Sequence, residues 1–153
     1  MNVPPYIRLA RPGYWINNVF ILPGILLAWF YAPHLRSPRF WGGLVITLIS
    51  ACLTASSNYV LNELLDARRD AFHPEKRNRP LVRGDARRAI AVVEWLLLAA
   101  VGLSLAAVVG ARLAMAMLAF WGAAILYNTP PLRLKDRPYL DVLSESLNNP
   151  LRM

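Results

Sequence analysis

The residues best equipped for chemistry are Asn58, Asn62, Asp66 and Asp70, which recur every four positions in the stretch NYVLNELLDARRDAFHPEKRNRPLVRG. At about 100° per residue a step of four drifts only about 40°, so on a helix these groups form one slanting row, about 12 Å long from Asn62 to Asp70. Carboxamide and carboxylate oxygens on one face are hard donors that suit Mg²⁺, which keeps several waters and shares its shell with phosphate oxygens. Lys76, Arg77, Arg79 and Arg83 follow, interrupted by Pro80. Their ammonium and guanidinium groups suit the remaining phosphate charge. The pattern predicts a metal set of Asn62, Asp66 and Asp70, with the two acids as the catalytic pair of a diphosphate-handling site. Two acids near a helix end can also be a solvated cap. Asn62 in register, an apolar span behind and a cationic loop ahead argue for the site.

Those residues must be positioned by long apolar segments. The chain of 153 residues is 56% hydrophobic, with mean hydropathy +0.35 and the apolar residues gathered in blocks. That is richer than an ordinary soluble domain and predicts an all-α, polytopic transmembrane bundle across residues 1–153. Four spans are expected, at about 14–32, 40–65, 89–110 and 111–128. The first carries Asn17 and Asn18, adjacent amides that a lipid-facing surface avoids, so they should face a neighbouring helix or a cavity. In the second, Ser50, Thr54, Ser56 and Ser57 supply the small residues that let helices approach closely in lipid. A carboxylate at mid-bilayer costs roughly 2.5 to 3.5 kcal/mol, which places Asp66 and Asp70 at or beyond the headgroup edge and the two asparagines one or two turns deeper. Glu94 faces either a cavity or a partner on its own helix. The tryptophans suit interface belts.

The net charge of +8 could suggest nucleic acid. The basic residues flank apolar blocks, however, and attraction to anionic headgroups accounts for them without any nucleic-acid partner. With four spans, thirteen Lys and Arg through Arg137 fall on the side of the loop after the second span, against Arg36, Arg39 and Arg112 opposite. That asymmetry puts the polar site loop in the cytoplasm of an integral protein of a bacterial inner or plasma membrane. The single cysteine, Cys52, rules out an intrachain disulfide.

Asn62, Glu63, Asp66 and Asp70 resemble the first acidic motif, NDxxDxxxD, of the UbiA superfamily of intramembrane prenyltransferases, with Glu63 in place of the usual aspartate. The following HPEKRNRPLVRG is similar to that superfamily's basic loop, in the form found in the branch that transfers phosphoribosyl groups to polyprenyl phosphate. YIRLARPGYWINN is similar to its opening, and YNTPPLRLK from Tyr127 to Lys135 resembles the YSxPPLRLK of the chlorophyll-synthase, homogentisate and geranylgeranylglycerol branches. The resemblance implies a bundle of about nine spans around a cavity open to lipid, with Mg²⁺ as cofactor and an isoprenoid diphosphate or polyprenyl phosphate as partner. It implies substrate contacts from Asn62, Lys76, Arg77, Arg79, Tyr127 and Lys135. It also implies a second acidic motif, which these residues do not contain; Asp141 and Glu145 lack its context. The expectation is therefore the amino-terminal half of such an enzyme, transferring a prenyl or phosphoribosyl group. The alternatives are a membrane protein whose basic loop only binds anionic lipid and a truncated membrane fragment without catalytic activity; these 153 residues alone are expected to be inactive, because the second acidic motif is not among them.

Overall fold

The computed structural model describes residues 3–32, 38–131, 133 and 135. Arg36, Arg137, Asp141 and Glu145 lie outside the described residues. The described chain is helical, in the order α1 (Pro5–Ala10), a 3-10 segment (Pro12–Phe20), α2 (Ile21–Tyr31), α3 (Pro38–Asp70), a 3-10 turn (Lys76–Asn78), α4 (Pro80–Arg83), α5 (Arg88–Val109) and α6 (Ala111–Asn128). Among the described residues three helices are long and apolar enough to cross a membrane: α3, α5 and α6.

Expected spans two to four are continuous helices, but the segment expected as the first is not. Residues 12–31 divide into the 3-10 segment and the 11-residue α2. Pro23 supplies the reason. Inside one helix over 14–32 it would remove an interior hydrogen bond and clash with the preceding turn. With α2 starting at Ile21, it falls in the first turn, where its missing N–H has no partner to lose.

At 33 residues α3 is the axis of the fold, entered at Pro38 and carrying the whole polar row to its last residue, Asp70. Small residues let α5 lie against it. A Cβ on Gly102 would stand 2.6 Å from Thr54 Oγ1 and 3.1 Å from Thr54 N. Ser50 Oγ donates to Gly102 O at 2.7 Å, and Ser57 Oγ donates to Trp95 O at 3.1 Å. Ser50, Thr54, Ser56 and Ser57 are all fully buried. Helix association in lipid lacks a hydrophobic drive and relies on such close approach. Trp121 of α6 stacks on Trp95 at 5.8 Å and donates to Ser57 Oγ at 3.2 Å, which ties α6 to the same seam.

The amino-terminal segments close the other side. Asn18 is buried and its Nδ2 reaches Cys52 Sγ at 3.0 Å, so it holds the 3-10 segment to α3. Trp15 Nε1 donates to Ser56 Oγ at 2.9 Å. Leu9 of α1 packs with Val60, Leu64, Ala86 and Ala91 in a core cluster at the polar end of α3. Glu94 does not face the polar row: it lines a recess with Tyr6, Val93 and Leu97, and its Oε2 has no hydrogen-bond partner.

Candidate active site

The spacing-four row stays on one helix, yet its members meet different partners. Asn58, Asn62 and Asp66 line a cavity of about 310 Å³ between α3 and α6. Ala55, Phe120 and Ala124 form its apolar wall, and Lys76, Tyr127, Asn128 and Lys135 reach it from the basic loop, the end of α6 and the segment beyond. Asp70, one turn further out, is buried and paired instead with Arg79.

Lys135 occupies the centre of the polar cluster. Its Nζ donates to Asn62 Oδ1 at 3.0 Å, to both carboxylate oxygens of Asp66 at 2.7 Å, and to Asn128 Oδ1 at 2.9 Å. Arg133 adds a second cation to Asp66, 2.6 Å from Oδ1. Four hard oxygens from three side chains thus enclose one positive centre, and that donor set fits a small hard cation such as Mg²⁺. Among the described residues no three His, Cys, Asp or Glu side chains converge in a way that could hold a metal ion. Carboxamide and phosphate oxygens would have to complete any such shell here. One helical turn below Asn62, both side-chain polar atoms of Asn58 are buried without a hydrogen-bond partner. A buried, unsatisfied amide is costly, and this one lines the cavity.

The loop after α3 is folded by its own chemistry. His73 Nδ1 accepts from the backbone N–H groups of Glu75 and Lys76 at 3.3 and 3.5 Å, so it acts as a turn residue. Pro80 opens α4, and Gly84 at φ 79° closes it in the left-handed region that glycine enters without strain. Glu63, 1% exposed, accepts from the Leu81 N–H at 3.2 Å and lies 3.6 Å from Arg11 Nη2. It therefore joins α3 to the basic loop and to the amino-terminal segment.

Of the residues singled out by sequence, Asn62, Asp66, Lys76, Tyr127 and Lys135 come together in one cavity. Asp70 and Arg79 form an adjacent pair. Arg77 is exposed and lines neither that cavity nor the neighbouring recess around Arg79. Asn128, Arg133 and Arg11 were missed. Asn128 had a faint signal, an amide ending an otherwise apolar helix beside Tyr127.

The model of the UbiA prenyltransferase family matches residues 18–147. The chain is 29% identical over 142 residues to decaprenyl-phosphate phosphoribosyltransferase of Mycolicibacterium smegmatis, covering 89% of this chain and 42% of that protein. It is 31% identical over 147 residues to lycopene elongase/hydratase of Haloarcula japonica, covering 92% of this chain and 47% of the relative. Nodulation protein NoeC of Azorhizobium caulinodans is 29% identical over 122 residues, 80% of this chain and 38% of that one. The fold matches the structure of a UbiA homologue from Archaeoglobus fulgidus bound to DMAPP and Mg²⁺, with TM-score 0.80 and 26% identity, over 97% of this chain and 51% of that one. The chain spans about half or less of the length of these proteins.

Proposed function

The chain belongs to the UbiA prenyltransferase family, and from that premise we propose that the cavity at Asn62 and Asp66 seats the diphosphate of an isoprenoid donor. The reaction is Mg²⁺-dependent transfer of the prenyl group to an acceptor inside the membrane. The observation that carries this reading is the convergence of Asn62, Asp66 and Asn128 oxygens on one cation position, at the polar end of a helix apolar enough to span the bilayer.

Asn62 and Asp66 are the residues that would hold Mg²⁺, with Asp70 next along the same row. Bound there, the ion would supply charge neutralisation for the departing diphosphate. Lys76, Arg79 and Lys135 donate to its remaining oxygens, and Arg77 adds positive field from the exposed side of the loop. Such cations act most strongly where charge develops as the donor's carbon–oxygen bond breaks and the diphosphate oxygen keeps the electron pair. Tyr127 borders the polar cluster, while Phe120 and Ala124 keep water from the allylic carbon until the acceptor captures it. The cationic excess around the loop supports a cytoplasmic site in a bacterial inner or plasma membrane.

A second reading, phosphoribosyl transfer from a sugar diphosphate to polyprenyl phosphate, draws on one observation. Apart from Ala55, Phe120 and Ala124 the cavity residues are polar, and Asn58 offers an unpartnered amide to a hydroxylated donor. The full-length protein that carries these residues, reconstituted in lipid with Mg²⁺ and each labelled donor, separates the two. Transfer from the isoprenoid diphosphate, lost in Asp66→Asn with unchanged membrane insertion, is the expected result. Transfer from the sugar diphosphate alone selects the second reading, and undiminished turnover in Asp66→Asn overturns both.

A further inference from the structure

Glu94 takes no part in the donor cavity. It stands in α5, a helix long and apolar enough to span the bilayer, and shares an open recess of about 330 Å³ with Tyr6, Ile90, Val93, Leu97 and Leu98. None of these residues lines the donor cavity, and among the described residues no cation lines the recess. The Glu94 Oε2 is buried without a hydrogen-bond partner. We propose that this recess binds the primary-ammonium headgroup of a phosphatidylethanolamine-type lipid, with Glu94 as its counter-ion. The inference does not depend on the transfer reaction above.

Charge selects the occupant. A carboxylate against hydrocarbon is costly unless a cation or a hydrogen-bond donor meets it. The arginines at the start of α5 are engaged elsewhere. Arg88 donates through Nη2 to Leu64 O at 2.8 Å, which turns it toward α3. Arg87 is exposed, and its backbone N–H donates to the Tyr6 hydroxyl at 3.2 Å, which fixes Tyr6 at the water end of the recess. A cation for Glu94 therefore has its place on a ligand.

Depth selects a headgroup over a soluble amine. Glu94 lies about 9 Å along the axis from Arg88, the first residue of α5. Long side chains on a helix lean toward its amino end and cover the preceding turn. The carboxylate thus sits near Ile90, about one turn below the start of the helix, where headgroups meet hydrocarbon. Ile90, Val93, Leu97 and Val101 are exposed and share one face of α5, a stripe along which an acyl chain can lie. A lipid ammonium reaches this level with its chains already in hydrocarbon. Its N–H groups can donate to Oε2, whereas a quaternary ammonium has none to give.

The test uses the full-length protein that carries these residues, in phosphatidylcholine nanodiscs doped with phosphatidylethanolamine, and counts retained lipids by native mass spectrometry. Saturable retention of phosphatidylethanolamine is expected, about five- to tenfold tighter than that of phosphatidylcholine. Glu94→Gln, which keeps the shape and loses the charge, should abolish the preference. So should Val93→Trp, which fills the recess from an exposed position and leaves the carboxylate in place. Glu75→Gln, which removes the same charge from an exposed loop, should retain it. Should Glu94→Gln fail to fold, Val93→Trp still decides. Retention without preference for the primary amine overturns the proposal. So does a preference that survives both recess variants, or one that falls equally in Glu75→Gln.

Discussion

Two faces of α3 carry similar polar side chains and put them to different uses. Toward α5, Ser50 and Ser57 spend their hydroxyls on backbone carbonyls across a seam so tight that Gly102 has no room for a methyl group. Toward α6, Asn62 and Asp66 open onto a cavity where cations from far along the chain converge, and Asn58 has no partner at all. Polar groups satisfied by neighbouring backbone hold helices together. Polar groups that line a cavity and are met by side-chain cations instead of backbone are the ones a ligand can reach. The Thr54 hydroxyl, buried without a partner on the tight face, is the exception to the first statement, and nothing in the structure explains it.

The comparison breaks most visibly at Asp66. Asp66→Asn should cut transfer by about 100- to 1000-fold, roughly 2.7 to 4 kcal/mol of transition-state stabilisation, with little change in thermal midpoint; kinetics and melting on the same preparation check both. Gly102→Leu should do the opposite. Its side chain meets Thr54 Oγ1 and backbone, so folding should lose about 1 to 3 kcal/mol, read by denaturation in detergent. Glu63→Gln lies between, because it keeps an acceptor for Leu81 but gives up the charge facing Arg11. A loss near 1.5 kcal/mol is expected, with the basic loop becoming more accessible to protease. Smallest is Ser57→Ala, at about 0.6 kcal/mol of stability and unchanged transfer, since it removes only a link to Trp95 and Trp121.

Much of this was legible because helical periodicity is local. Asn58 to Asp70 share a row by spacing alone, and α5 and α6 begin and end within a residue or so of their apolar blocks. The break before α2 was missed because the apolar content of 14–32 outweighed Pro23, whose position sets where a helix can start. The site's completion was hidden for a different reason. Asp66 meets Arg133 and Lys135 across 67 and 69 residues of chain, and no spacing rule reaches that far. Resemblance pointed to Lys135 as a substrate contact, but not to Asn128 or to an ammonium resting among the acidic-row oxygens. Asp70 was grouped with Asp66 by register, whereas the loop turns back at His73 and brings Arg79 onto it.

The central claim is that the α6-facing side of α3 seats a divalent cation together with a diphosphate. It is tested most directly by titrating Mg²⁺ with inorganic pyrophosphate into the reconstituted protein by calorimetry, comparing wild type with Asp66→Asn and Ser57→Ala. The account predicts saturable, Mg²⁺-dependent pyrophosphate binding that survives Ser57→Ala and falls by about tenfold or more in Asp66→Asn. Binding that is equally strong in Asp66→Asn, or that needs no divalent ion, would contradict it.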